Sequence, residues 1–182
     1  LNSMMMTTIG DYGYKLPSSA VHNPIKEGAN PTMANLNNKR FVLVQEPQNK
    51  YKINTSTIKE MTGDKNLNCR TLYSTDTITR LVLTLLMECN DLPQLAESGV
   101  GTARRIDVSP FIARFMTYDQ YNELTKEELK TGKYHLADPQ YESIEFVKNH
   151  KQALMEILME HFEIFQNDGY IMKPPTAVVN EN

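Results

Sequence analysis

The 182 residues contain no tryptophan and two cysteines. Two thiols, Cys69 and Cys89, cannot build the disulfide framework of a small secreted domain, and two do not make a zinc site. They read as reduced core thiols of an intracellular protein. Glycine and proline number eight and nine, which excludes collagen-like and low-complexity chains. Long hydrophobic runs are missing as well. The longest, Leu81-Val82-Leu83-Thr84-Leu85-Leu86-Met87, falls far short of the about 20 apolar residues that cross a bilayer, so no membrane partner is expected. Nor is there a basic excess: 19 Lys and Arg face 22 Asp and Glu, a net charge of −3, leaving only a local basic patch to attract nucleic acid. The N-terminus, Leu1-Asn2-Ser3-Met4-Met5-Met6, lacks a basic leader and an initiator Met at position 1, and it reads as cut from something longer. The four histidines, His22, His135, His150 and His161, show no ligand spacing with Cys or acids.

What is present has the grain of an α/β core. Residues 1–10 read as a helix stopped by Gly10, and residues 32–36 as a short helix. Phe41-Val42-Leu43-Val44 is a continuous apolar run of the kind buried in parallel sheets. Thr55-Ser56 offers a cap for a helix closed by Gly63. Residues 67–73 alternate and are β-prone, a turn follows at 74–77, and residues 80–87 read as a second apolar strand, so a hairpin is expected to feed a central strand. Arg105-Ile106-Asp107-Val108 is a third short strand candidate. After Phe115 the chain turns helical and charged. Asp138-Pro139 reads as a helix start, and Ile144, Val147, Leu154, Ile157, Leu158, His161, Phe162 and Phe165 form an amphipathic stripe at spacings of three and four. The organisation expected is a core over 1–115, a helical subdomain over 116–170 and a tail over 171–182.

Three motifs carry chemistry. The apolar strand ends in an acid, Gln45-Glu46, at the edge where open α/β sheets bind ligands, and such an acid handles Mg²⁺ through water or orients an attacking water. The second apolar strand leads to Asn90, whose amide offers both a donor and an acceptor to a phosphate or its water. Arg104-Arg105 supplies planar forks suited to developing phosphate charge. Taken singly, each has a blander reading: a surface Glu after a strand, a turn at Asn90-Asp91-Leu92-Pro93, and a solvated basic pair.

Between the first two motifs lies Lys59-Glu60-Met61-Thr62-Gly63-Asp64-Lys65, followed by Arg70 and Tyr73. In this order the elements resemble superfamily 3 helicases, specifically the primase-helicases of large DNA viruses and related phage and plasmid primases. Ile9-Gly10-Asp11-Tyr12 with Leu16-Pro17 is similar to the segment after that family's phosphate loop. Asn38-Lys39-Arg40 resembles its Gly-Lys-Arg before the Walker B strand, with Asn38 where Gly is common, and Ser109-Pro110-Phe111 resembles the strand end after the arginines. The resemblance runs over about residues 7–115 and implies an incomplete P-loop NTPase core of AAA+ type, with a β-hairpin and a C-terminal helical subdomain.

By that resemblance Glu46 is the acid handling Mg²⁺ or water, with Gln45 where a second acid is frequent. Asn90 is the sensor, and Arg104 or Arg105 the finger acting in trans. Lys59, Lys65 and Arg70 face DNA. ATP and Mg²⁺ are the implied cofactors, single-stranded or forked DNA and a homo-oligomeric ring the implied partners, and the host cytoplasm or a viral replication site the implied location. No Gly-x-x-x-x-Gly-Lys-[Ser/Thr] occurs in the sequence; Gly10-Asp11-Tyr12-Gly13-Tyr14-Lys15 has the wrong spacing. Without that loop there is no amide cradle for phosphates. The expectation is therefore a fragment beginning after the loop and inactive alone. The alternative is a piece that contributes DNA contacts or ring assembly without turnover. The loop's strand is expected to sit beside the sensor strand, so its absence would leave a strand edge open and lower stability.

Overall fold

The computed structural model describes residues 1–75, 78–97, 99–103 and 105–170. The chain divides into two units, Leu1–Ile106 and Asp107–Asn182. The change of character read after Phe115 lies inside the second.

The first unit begins with helix α1 (Asn2–Ile9), which ends at Gly10 with φ 54°, a left-handed conformation open to glycine. Strand β1 (Gly13–Lys15) follows, and then β2 (Gly28–Ala29) and the short helix α2 (Pro31–Ala34). Asn30 caps α2 by accepting the Met33 N–H at 3.3 Å, with Pro31 at the first helical position, where its missing N–H costs nothing. Strand β3 (Phe41–Gln45) is the apolar run expected from sequence. Helix α3 (Thr55–Gly63) is capped not by Thr55 or Ser56 but by Asn54, whose side chain accepts the Thr57 N–H at 3.1 Å. Thr55 and Thr57 are instead buried, and the Thr57 hydroxyl donates to the Asn23 carbonyl at 2.7 Å.

Three short strands then form the excursion that the alternation predicts: β4 (Asn66–Leu67), β5 (Cys69–Arg70) and β6 (Thr79–Arg80). β4 and β6 pair antiparallel, Asn66 opposite Arg80, making a hairpin, while β5 pairs parallel with β2. The apolar run 80–87 is not one strand. It breaks over 81–83, where the Leu81 N–H donates to the Lys65 carbonyl at 2.8 Å and the Leu81 side chain enters the core, before β7 (Thr84–Glu88) begins. Helix α4 (Val100–Ala103) closes the unit. Arg105-Ile106-Asp107-Val108 forms no strand with the described residues: the Arg105 N–H closes a turn onto the Thr102 carbonyl at 3.0 Å.

β1, β3 and β7 form a parallel sheet in that order, with Gly13 opposite Phe41 and Phe41 opposite Thr84. Its two faces differ. Val42 and Val44 point into a core with Leu16, Val21, Leu36, Ile53, Ile58 and Met61, flanked by Leu85 and Met87. The other face carries Phe41, Leu43 and Gln45 opposite Thr84, Leu86 and Glu88. Helix α1 crosses part of it; a Cβ at Gly13 would come within 2.9 Å of the Met6 sulfur, so glycine permits this approach. Leu86 on the outer strand is 39% exposed.

The second unit holds β8 (Arg114–Met116), α5 (Tyr118–Asn122), α6 (Lys126–Lys130), β9 (Tyr134–Leu136) and the long helix α7 (Ile144–Asn167). β8 and β9 pair in parallel, so this region is not purely helical. The charged helix read around 121–131 is two short helices, each opened by a capping box, at Thr117–Gln120 and Thr125–Glu128. Asp138-Pro139 starts a single tight turn (Pro139–Glu142), and Ser143 caps α7 itself by accepting the Phe146 N–H at 3.0 Å. None of this unit's described residues is buried, including the stripe on α7. Among the described residues no helix is long and apolar enough to cross a membrane.

Candidate functional site

In a parallel sheet the carboxyl ends of the strands share one edge, and the backbone groups left unpaired there favour ligands. At this edge a cleft of about 620 Å³ is lined by Lys15, Leu16, Pro17, Ser18, Gln45 and Glu46. Lys15 ends β1 and Gln45 ends β3, while Glu46 is the first residue past β3. Glu46 is exposed and adopts φ 46°, the left-handed region that a non-glycine residue enters at a cost of ~1–2 kcal/mol. Its N–H is held by the Glu88 carbonyl at 2.8 Å, so the strained residue is fixed to the neighbouring strand rather than left in a free loop.

Sequence reasoning missed Glu88. It stands opposite Gln45 in the sheet register, and its carboxylate accepts the Gln45 amide at 2.8 Å and the Asn2 amide of α1 at 2.8 Å. This gives a reason for glutamine at 45. A second acid there would face Glu88 directly, and like charges opposite one another destabilise a sheet, whereas the amide donates. Lys15 and Ser18 were also missed. The signal for both was the start of the parallel sheet at Gly13, which the sequence offers as too short a run to read as a strand.

The other predicted residues are placed as follows. Asn90 lies two residues beyond β7, on the same edge as Glu46, in an exposed bend beside Asp91, whose carboxylate accepts the Asn49 amide at 3.4 Å. Arg105 is held elsewhere. Its guanidinium donates to the Gly101 carbonyl at 2.7 Å and lies 3.1 Å from where a Gly63 Cβ would be, at the end of α3, and it does not line the cleft with Glu46. Arg104 lies outside the described residues. Lys59, on α3, makes a 3.7 Å ion pair with Glu97, both groups being substantially exposed. Lys65 is exposed at the base of the hairpin. Arg70, on β5, donates through Nη1 to the Ser74 carbonyl at 3.2 Å and to that of Thr71 at 3.4 Å.

Both cysteines are free thiols. Burial pushes the Cys69 thiol above its ordinary value, helped by the negative charges of Glu27 and Glu60. Cys89 is raised likewise, by burial and then by Asp91 and Glu88. Neither has the depressed pKa of a nucleophile. Among the described residues no three His, Cys, Asp or Glu side chains gather into a metal cage. Of the residues lining the cleft, the Glu46 carboxylate and the Ser18 hydroxyl carry oxygens of the kind a hydrated Mg²⁺ takes, whereas the Lys15 ammonium is suited to an anion such as phosphate rather than to the metal.

No family model matches the chain. It is 27% identical over 143 residues, 79% of its length, to a protein of Acanthamoeba polyphaga mimivirus whose name reads putative helicase. It is 30% identical over 115 residues, 60% of its length, to a Frog virus 3 protein of the same description. The chain spans 15% and 12% of those two proteins' lengths. These similarities support a viral helicase-related family.

Proposed function

We propose that this chain is part of an ATP-dependent DNA helicase of the superfamily 3 type, a primase-helicase of viral or mobile-element replication that works as a homo-oligomeric ring. The observation that carries this reading is the sheet edge. Adjacent parallel strands β3 and β7 end side by side, one a residue short of Glu46 and the other two residues short of Asn90, and the hairpin lies between them in sequence. That order suits an acid and a sensor amide on one sheet edge, with a DNA-contacting arm whose own two-stranded ladder leads on into β7.

ATP with Mg²⁺ would supply the phosphoryl group whose hydrolysis drives the cycle. Glu46 would hold the hydrated metal or orient the attacking water, and Asn90 would report on the terminal phosphate with its amide. Arg105, packed away from its own chain's cleft, and Arg104 are the candidates for a neighbouring subunit's finger. Lys59, Lys65 and Arg70 are the candidate DNA cations, with Lys59 partly engaged by Glu97. The phosphate-cradling motif is not in the 182 residues, which favours DNA binding without turnover for these residues by themselves.

The test is anisotropy of labelled oligo-dT with this chain across a salt series, beside ATP hydrolysis. Salt-sensitive binding is expected, with Lys65→Ala lowering the slope of log affinity against log salt by about one. Hydrolysis is expected to stay at the level of Glu46→Gln. Absence of DNA binding would overturn the reading. DNA-stimulated turnover abolished by Glu46→Gln would show that these residues hold the phosphates unaided.

A further inference from the structure

The hairpin tip carries an apolar group that the fold leaves uncovered. Between β5 and β6, Leu72 is 61% exposed and Tyr73 is 100% exposed. Tyr73 has φ 62°, a conformation that its Cβ and carbonyl disfavour and that a bulky aromatic residue rarely adopts. The tip is not slack. Arg70 braces it from within by donating to the carbonyls on both sides of Tyr73, those of Thr71 and Ser74. Beside the ring lies a cleft of about 590 Å³ lined by Ala29, Arg70, Leu72, Tyr73, Ser74 and Thr75.

Arg70 is the one charged residue among those lining this cleft, so the lining carries a positive charge in a protein of net charge −3. A projecting aromatic face with a braced arginine lining the same cleft supplies the parts of a platform for single-stranded nucleic acid. There, bases stack on rings while cations follow the phosphates.

We infer that Tyr73 is a base-stacking residue for single-stranded DNA at the hairpin tip, with Arg70 setting its position. The inference rests on the helicase reading above and adds to it a contact with the bases rather than the backbone. Stacking does not read sequence, because every base has a π-face, so the contact suits a protein that must move along any strand. The ring's exposure also places no core contact at risk on substitution.

The experiment uses the absence of tryptophan from the chain. Tyr73→Trp installs a single indole reporter at the tip. Oligo-dT is expected to quench its fluorescence, and an abasic oligomer of equal length is expected not to. In anisotropy, Tyr73→Ala is expected to weaken oligo-dT binding about 5- to 100-fold while leaving the salt slope unchanged, and Tyr73→Phe to retain it. Circular dichroism of each variant checks that the fold is kept.

If wild type binds oligo-dT but Tyr73→Ala binds it equally, or if the indole is unmoved, the inference is overturned and the helicase reading survives. Equal binding of oligo-dT and abasic DNA by wild type overturns it too. So does a change in sedimentation on Tyr73→Ala without a change in DNA affinity, which would make the tip a contact between copies of this chain. If wild type binds no single strand, the helicase reading fails and the inference with it.

Discussion

Two residues flanking β3 sit in the left-handed region, Asn38 with φ 57° before it and Glu46 with φ 46° after it. Asparagine tolerates that conformation far better than a branched residue, because its short side chain can bond locally. Asn38-Lys39-Arg40 resembles a segment in which glycine is common at the first place, and the positive φ of Asn38 is a conformation that glycine also adopts freely. Asn38→Gly is therefore expected to leave stability nearly unchanged. Asn38→Val is expected to cost ~1–2 kcal/mol, read as a fall in the urea midpoint. The thiol of Cys69 gives a pH signature of its own. Its folded value lies above its unfolded one, so its contribution to stability is complete below the ordinary thiol range and is lost as pH rises through that range toward the raised folded value. The urea midpoint should fall between neutral and alkaline pH, and fall less in Cys69→Ala.

At the level of elements, α6 shows how local chemistry sets a boundary. The carboxylate of Glu128 accepts the Thr125 N–H at 2.8 Å and the Thr125 hydroxyl at 2.8 Å, while the Glu128 N–H returns a bond to that hydroxyl at 3.2 Å. The backbone bond, followed by the hydroxyl, holds the Glu128 carboxyl below its ordinary value. The capping contribution is thus present above the ordinary glutamate range and disappears as pH falls through the lowered value. Thr125→Ala removes the hydroxyl alone, so the Glu128 titration followed by carboxyl-carbon NMR should move upward partway toward a free side chain. Elements also show where sequence reading succeeded and where it stopped. β3 and α1 were legible because an apolar run or a terminal glycine leaves a local signal. The break at 81–83 was not. An apolar run looks the same whether it stays in one strand or passes from a hairpin into a sheet, and only the Lys65 carbonyl, far off in sequence, decides. The same holds for the candidate site: Glu46 and Asn90 lie just past the ends of apolar runs visible in sequence, whereas Glu88 is brought to Gln45 only through the sheet register.

For the molecule as a whole, burial is uneven. The first unit encloses a core around Val42, Val44, Ile53 and Met61, and the second has no buried described residue, although α7 spans Ile144–Asn167. Hydrogen exchange should divide accordingly. The amides of Phe41–Gln45 should exchange slowly, at rates set by global opening. Those of α7 should exchange much faster, because a helix without tertiary burial opens locally. Uniform protection across both units, measured by mass spectrometry, would contradict this account.

The parallel sheet has a temporal consequence. β1 must wait for Phe41–Gln45 and β3 must wait for Thr84–Glu88, because parallel neighbours cannot be joined by a tight turn. At synthesis rates of about 5–20 residues per second, the Val42-Leu43-Val44 segment is made seconds before its second partner. During that interval a sticky β-prone stretch has β1 on one edge and no strand on the other, and the newborn polypeptide has reason to engage a chaperone until Thr84–Glu88 arrives.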